Sequence, residues 1–185
     1  MPALLERAGG RRGRPASRSL RTLRDGGGVR DPRWRLALAV AIGVLAADQA
    51  TKALVARTLR LHETVVWLPV FAVTYVRNTG AAFGVLADVP PGVRLPLFLA
   101  ITLGAAGALV SFLRRTPREQ PWVVAAIGGI LGGAVGNLVC RLRYGEVIDF
   151  LDLHWGDLHW PAFNLADSAI TTGVAVVLLH SLRRR

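Results

Sequence analysis

The chain has 185 residues, of which 52% are hydrophobic, and it carries a formal net charge of +11. Several apolar runs approach twenty residues, so the composition argues against a soluble globule and predicts a polytopic membrane protein. The positive charge is almost entirely arginine and flanks the apolar runs, which favours contact with anionic lipid and orientation in a membrane over nucleic-acid binding. A single cysteine, Cys140, excludes an internal disulfide.

Residues 1–33 are predicted to form a disordered cytoplasmic arm, followed by a membrane domain at 34–185. Residues 1–35 hold ten arginines against three acidic residues and have almost no apolar periodicity. We expect a solvated arm that orients the chain; contact with lipid headgroups or nucleic acid is the alternative.

Four apolar runs predict four membrane-spanning helices, at about residues 36–56, 93–113, 122–142 and 163–182. A secretory signal peptide is the rival interpretation of the first run. Its basic leader is too long for that, and the apolar pattern resumes beyond Lys52. With four spans, the arm, the arginines at 114–118 and the C-terminal arginines all fall on one side, the cytoplasm.

Two connections then lie together on the outer side. The β-branched and aromatic runs at 64–68 and 71–76, separated by a turn at Leu68-Pro69-Val70, predict a small hairpin on the membrane surface. Residues 145–167 carry four aspartates and a duplicated DLHW unit. We interpret this segment as a re-entry loop in which Asp152 and Asp157 belong to an exposed aromatic hairpin.

Polar residues converge on the outer third of the predicted bundle. Ionisable groups in a membrane are costly to desolvate and therefore mark candidate functional sites. Three simpler roles are open to these residues. Asp48 and Lys52 would form an ion pair, Asn164 would be a helix N-cap, and Arg141 would extend to the membrane interface. The converging residues are Asp48, Lys52, Asn137, Arg141, Asp149, Asn164 and Asp167.

Asp149 and Asp167 are the strongest catalytic candidates, because neither has a basic residue at helical spacing to neutralise it. Two adjacent carboxyl groups cannot both ionise easily, so one keeps a proton. The ionised group can activate water against a carbonyl while the other donates a proton. The spacing of Asp152, His154, Asp157 and His159 matches no zinc-site pattern, so we expect no metal, and the tryptophans are interpreted as an interfacial belt.

Four sequence blocks, in order, resemble the lipoprotein signal peptidase (signal peptidase II) family, which are membrane aspartic peptidases of bacteria. The resemblance covers roughly residues 36–182. The blocks are DQATK at 48–52, NTGAAFG at 78–84, a stretch from GGAVGNL at 132–138 through Arg141 to GEVIDF at 145–150, and PAFNLADS at 161–168.

This resemblance implies an all-α membrane protein with four transmembrane helices and a small periplasmic β-rich cradle. It implies an inner-membrane enzyme with both termini cytoplasmic and the active site toward the periplasm. The expected activity is hydrolytic removal of signal peptides from prolipoproteins, just before a diacylglyceryl cysteine, without a cofactor or metal. Expected partners are prolipoproteins and membrane lipid but no nucleic acid, and we expect a monomer.

The resemblance also assigns residues. Asp149 and Asp167 would be catalytic, whereas substrate binding or support of the site would fall to Asp48, Lys52, Asn78, Gly80, Asn137, Arg141 and Asn164. Cys140 stands where the family usually has an acidic residue, and we expect Cys140→Asp to be tolerated. The alternatives are a small proton- or ion-coupled carrier that uses Asp48 and Lys52, and a scaffold that acts through the basic arm.

Overall fold

The computed structural model describes residues 31–81 and 84–183. Its helices are α1 (Pro32–Thr58), α2 (Pro91–Arg115), α3 (Pro121–Tyr144) and α4 (Leu165–Leu182), and its strands are β1 (Thr64–Leu68), β2 (Phe71–Asn78), β3 (Val147–Trp155) and β4 (Leu158–His159). All four helices are long and apolar enough to cross a membrane. The predicted fold class is therefore confirmed.

Helix boundaries differ slightly from the prediction. Because Asp31 accepts a hydrogen bond from the main-chain nitrogen of Arg33, α1 begins at Pro32, ahead of the predicted start at residue 36. The proposed boundary between residues 33 and 34 thus falls inside the first turn of α1. The predicted arm lies mostly outside the described residues, at 1–30.

Helix α3 is the centre of the bundle and packs against α1, α2 and α4. Its glycines allow the backbones to approach closely: a Cβ atom on Gly128 would lie 2.5 Å from the carbonyl oxygen of Ala37 in α1. Around this contact, the buried side chains of Val123 and Ile127 pack with Leu113 of α2. The glycines of α3 therefore allow close packing of the helices.

The basic segments meet at one end of the bundle. Asp31 forms ion pairs with Arg33 at 2.8 Å and with Arg118 at 3.2 Å. Arg33 also donates to the carbonyl oxygen of Thr116, so the start of α1 is tied to the α2–α3 connection. The hydrogen bonds from Arg33 hold the pKa of the Asp31 carboxyl well below its usual range.

A four-stranded antiparallel sheet of order β1-β2-β3-β4 lies at the opposite end of the bundle. The β1–β2 hairpin and its turn are as predicted, but the pairing of β2 with β3 is not. This pairing places Asn78 opposite Val147 and Val76 opposite Asp149. The segment interpreted as a re-entry loop is thus mostly a nine-residue strand. The expected exposure of Asp152 is wrong: its place in this strand leaves it 8% exposed.

We predict that Gly128→Ala destabilises the bundle by about 1–3 kcal/mol, because the added methyl group collides with the α1 backbone. Thermal unfolding of the purified protein in detergent micelles measures the change. Gly104→Ala in α2 is the matched control, since a Cβ there meets no atom within 4 Å. The control should be neutral or stabilising, and equal losses for both variants would contradict the packing at Gly128.

Candidate active site

The site begins with a buried charge pair on α1. Asp48 and Lys52 lie one helical turn apart, and their Oδ2 and Nζ atoms are 2.8 Å apart, which is the ion pair predicted as one role for them. Asp48 is 0% exposed and Lys52 2%. The Oδ1 atom of Asp48 also accepts a hydrogen bond from the main-chain nitrogen of Ala166, so the pair is anchored to the first turn of α4.

Lys52 sets the orientation of Asn137 on α3. Its Nζ atom donates to Asn137 Oδ1 at 2.8 Å. Because a lysine ammonium has only donors, the amide oxygen must face Lys52 and the amide nitrogen must face away. That nitrogen donates to Asp167 Oδ1 at 2.8 Å. The side-chain amide of Asn137 therefore connects the charge pair to the carboxylate of Asp167.

Asn164 is the N-cap of α4, as the sequence suggested. Its Oδ1 atom accepts from the main-chain nitrogen of Asp167 at 3.0 Å, and Asp167 Oδ2 accepts from the main-chain nitrogen of Asn164 at 3.1 Å. This reciprocal arrangement is a capping box. The side-chain nitrogen of Asn164 takes no part in the cap. It points into the interior and donates to Asp149 Oδ1 at 2.6 Å.

Asp149 lies on β3, where the sheet brings it beside Asn78 of β2. The amide nitrogen of Asn78 donates to Asp149 Oδ2 at 3.0 Å. Each of the four carboxylate oxygens of Asp149 and Asp167 thus accepts a hydrogen bond from an amide. Asn164 is bonded to both carboxylates, which places the two predicted catalytic groups in one network.

Burial changes the acidity of Asp149. Its carboxyl group is 2% exposed, and this desolvation, followed by the charge of Asp167, raises its pKa from 3.8 to about 6. The hydrogen bonds from Asn78 and Asn164 oppose the rise because they stabilise the ionised form. A carboxyl of this pKa beside a second carboxylate can share and transfer a proton.

Gly80 and Arg141 meet at the edge of this network. Arg141 donates from Nη2 to the carbonyl oxygen of Gly80 at 2.8 Å, and its guanidinium lies 3.9 Å from the centre of the Phe98 ring. Asn78 accepts from the main-chain nitrogen of Gly80, which links the same loop to Asp149. Arg141 therefore contacts the loop beside the site instead of extending to the membrane interface. A cavity of about 140 Å³ lies next to it, lined by Arg94 and Phe98.

Two residues of the site were missed. Gln49 donates to Asp48 Oδ2, to the carbonyl oxygen of Gly136 and to the sulfur of Cys140. A polar residue next to Asp48 in an apolar helix was a signal for it. Phe98, which lies under Arg141, is one of many apolar residues in α2 and has no such signal. Cys140 is buried and faces Gln49.

Comparisons with known proteins agree with this architecture. A family profile described as signal peptidase (SPase) II matches residues 40–183. The chain belongs to the signal peptidase II family. The lipoprotein signal peptidase of Syntrophotalea carbinolica is 47% identical over 152 residues, which are 82% of this chain and 93% of that protein. The lipoprotein signal peptidase of Geobacter sulfurreducens is 45% identical over 153 residues, with 82% and 94% covered.

A solved structure of a bacterial membrane enzyme has a TM-score of 0.71 and 32% identity, covering 80% of this chain and 87% of that one. Membership of the signal peptidase II family identifies the chain as a peptidase and a multi-pass bacterial membrane protein. The sequence resemblance is thus confirmed at the level of family and fold.

We predict that Lys52→Met costs about 3–5 kcal/mol of unfolding free energy, because it leaves Asp48 buried without a counter-charge. Denaturant unfolding in micelles measures the loss. The double variant Asp48→Asn/Lys52→Met removes both charges and should recover much of the stability. If the double variant loses as much stability as Asp48→Asn and Lys52→Met lose together when made singly, the pairing is contradicted.

Proposed function

We propose that this chain is an aspartic endopeptidase of the bacterial inner membrane, which removes signal peptides from prolipoproteins just before a diacylglyceryl cysteine. Its family and the names of its relatives support the substrate class. One observation carries the aspartic mechanism: Asn164 is hydrogen-bonded to both Asp149 and Asp167. No metal or nucleophilic side chain takes part in the proposed reaction.

In the proposed mechanism, the two carboxyl groups share one proton. The raised pKa of Asp149 makes it the proton-bearing member, and Asp167 is the ionised base. Asp167 takes a proton from a water molecule, whose oxygen attacks the scissile carbonyl carbon. Asp149 donates its proton to the carbonyl oxygen. As the tetrahedral intermediate collapses, Asp167 gives the proton that it took from water to the leaving amine, and Asp149 recovers a proton from a hydroxyl group of the intermediate. The amide donors keep both carboxylates aimed while the charges change.

The proposed topology puts both termini in the cytoplasm and the dyad toward the periplasm. The arginine-rich end of the bundle, with Arg33 and Arg118, supports the cytoplasmic assignment through the positive-inside tendency. The sheet and the dyad lie at the other end. The exposed tryptophans of the sheet, including Trp67 and Trp155, are suited to the boundary between lipid and water. The end of a signal peptide emerging from the membrane would reach the site there.

Arg141 and the loop at Gly80 are proposed to hold the substrate backbone. The guanidinium is already positioned by Gly80 and Phe98, and its Nε atom is buried without a hydrogen-bond partner among the described residues. A peptide carbonyl in the adjacent cavity would supply that partner. The proposed enzyme acts as a monomer, with membrane lipid around it.

The carrier alternative depends on Asp48 and Lys52. Both groups are bonded to each other and to fixed partners, Ala166 for Asp48 and Asn137 for Lys52. A transported ion must be bound and released, whereas these contacts serve to orient the neighbouring amides. The structure therefore favours a bracing role for the pair.

We predict that Asp149→Asn and Asp167→Asn each reduce cleavage of a diacylated prolipoprotein by at least about 10³-fold, because each removes a proton-transfer group. The measurement is a gel-shift assay with purified enzyme and lipidated substrate in micelles. Asp157→Asn, in the same outer segment, is the matched control and should cleave normally. Near-normal cleavage by a folded variant at position 149 or 167 would disprove the dyad.

The activity should fall as the pH rises above about 6, where Asp149 loses the shared proton. We predict that Asn78→Ala moves this descending limb to higher pH. The hydrogen bond from Asn78 stabilises the ionised carboxylate, so its removal raises the pKa of Asp149 and preserves the protonated form. The pH profile of kcat/KM measures the shift, with Asp157→Asn as control. A limb that moves to lower pH would contradict this assignment.

A further inference from the structure

The outer hairpin holds a second cluster of polar side chains, separate from the dyad. Asp152 and His154 are two residues apart on β3 and therefore point to the same face of the sheet. His159 on β4 is the cross-strand partner of His154 and joins them. Asp149 is an odd number of residues from Asp152 in the same strand, so it points to the opposite face.

The three side chains converge closely. His159 Nδ1 lies 3.0 and 3.1 Å from the two carboxylate oxygens of Asp152, and His154 Nδ1 lies 3.9 Å from Oδ1. One nitrogen or oxygen from each residue falls within 4.8 Å of the others. The two imidazole rings stack with their centres 5.0 Å apart, so both can direct a nitrogen to one point.

A hydrogen bond between His159 and Asp152 would account for two of the three residues. It leaves His154 unexplained: its side chain is 12% exposed, and its buried Nδ1 atom has no hydrogen-bond partner among the described residues. A buried polar nitrogen without a partner is unfavourable and needs a physical reason. A cation placed between the three groups would satisfy it.

Although the spacing of these residues along the sequence matches no zinc-site pattern, we propose that Asp152, His154 and His159 together form a binding site for a divalent transition-metal cation, of which Zn²⁺ is the best match. Two imidazoles and one carboxylate are ligands that zinc prefers, and three protein ligands leave a fourth position for water. His159 is half-exposed and provides the entry route. Its rotation would bring the nitrogens to bonding distance, and the cation would then fasten the two-residue strand β4 to β3.

Zinc titration of the full-length protein tests this proposal. The protein is purified in micelles, stripped of metal with a chelator and titrated with Zn²⁺ against a chromophoric competitor. We expect one equivalent to bind, and His154→Ala and His159→Ala to weaken binding at least tenfold. Zinc should also raise the Tm of the unsubstituted protein but not that of these variants.

Two controls have defined outcomes. Asp157→Asn changes an exposed acid of the same hairpin and should bind zinc normally. Asp149→Asn should do the same, so loss of peptidase activity and loss of metal binding are distinguishable. Asp152→Asn conserves size and should also weaken binding, which supplies a test if a histidine variant fails to fold. Absence of stoichiometric binding, or an affinity in all three ligand variants equal to that of the unsubstituted protein, would overturn the proposal.

Discussion

The ammonium group of Lys52 determines how the buried side-chain amide of Asn137 is oriented. It is a pure donor, so Asn137 must present its oxygen to Lys52 and its nitrogen to Asp167. Asp48 neutralises the ammonium and also holds the first turn of α4 through Ala166. The pair is buried in the bundle, where a lone charge would be very unfavourable. The ion pair between Asp48 and Lys52 thus joins α1 to α3 and α4 and also sets which atoms of Asn137 face Asp167.

Asn164 couples local helix formation to this network. Its side-chain oxygen caps α4, and its side-chain nitrogen donates a hydrogen bond to Asp149 on β3. A cap that is already required to begin the helix therefore also fixes the distance between strand and helix. Since Asp167 is the other half of the capping box, its carboxylate cannot rotate freely without losing the contact to the Asn164 main chain. The same residue, Asn164, therefore begins α4 and holds the carboxylates of Asp149 and Asp167 in place.

Local patterns predicted much of the fold and part of the site. Apolar length gave the four spans, helical spacing gave the ion pair of Asp48 and Lys52, and an asparagine before an apolar run gave the cap of α4. The pairing of β2 with β3 joins residues about seventy positions apart, as Asn78 and Asp149 illustrate. No local pattern specifies such a partner, so the continuous sheet and the burial of Asp152 were not predictable. The grouping of His154 with His159 depends on the strand pairing in the same way.

Burial of Asp149 is unfavourable for folding when the carboxyl is ionised. A carboxyl whose pKa rises from 3.8 to about 6 on folding favours the folded state while it is protonated, and this contribution is lost as the pH rises through the folded pKa. Asn78 and Asn164 reduce the loss by donating to the ionised oxygens. These donors belong to β2 and to the cap of α4, elements that the bundle and sheet already hold in place. The fold therefore supports a carboxyl group with the raised pKa that the proposed proton transfer requires, and it limits the stability lost by burying that group.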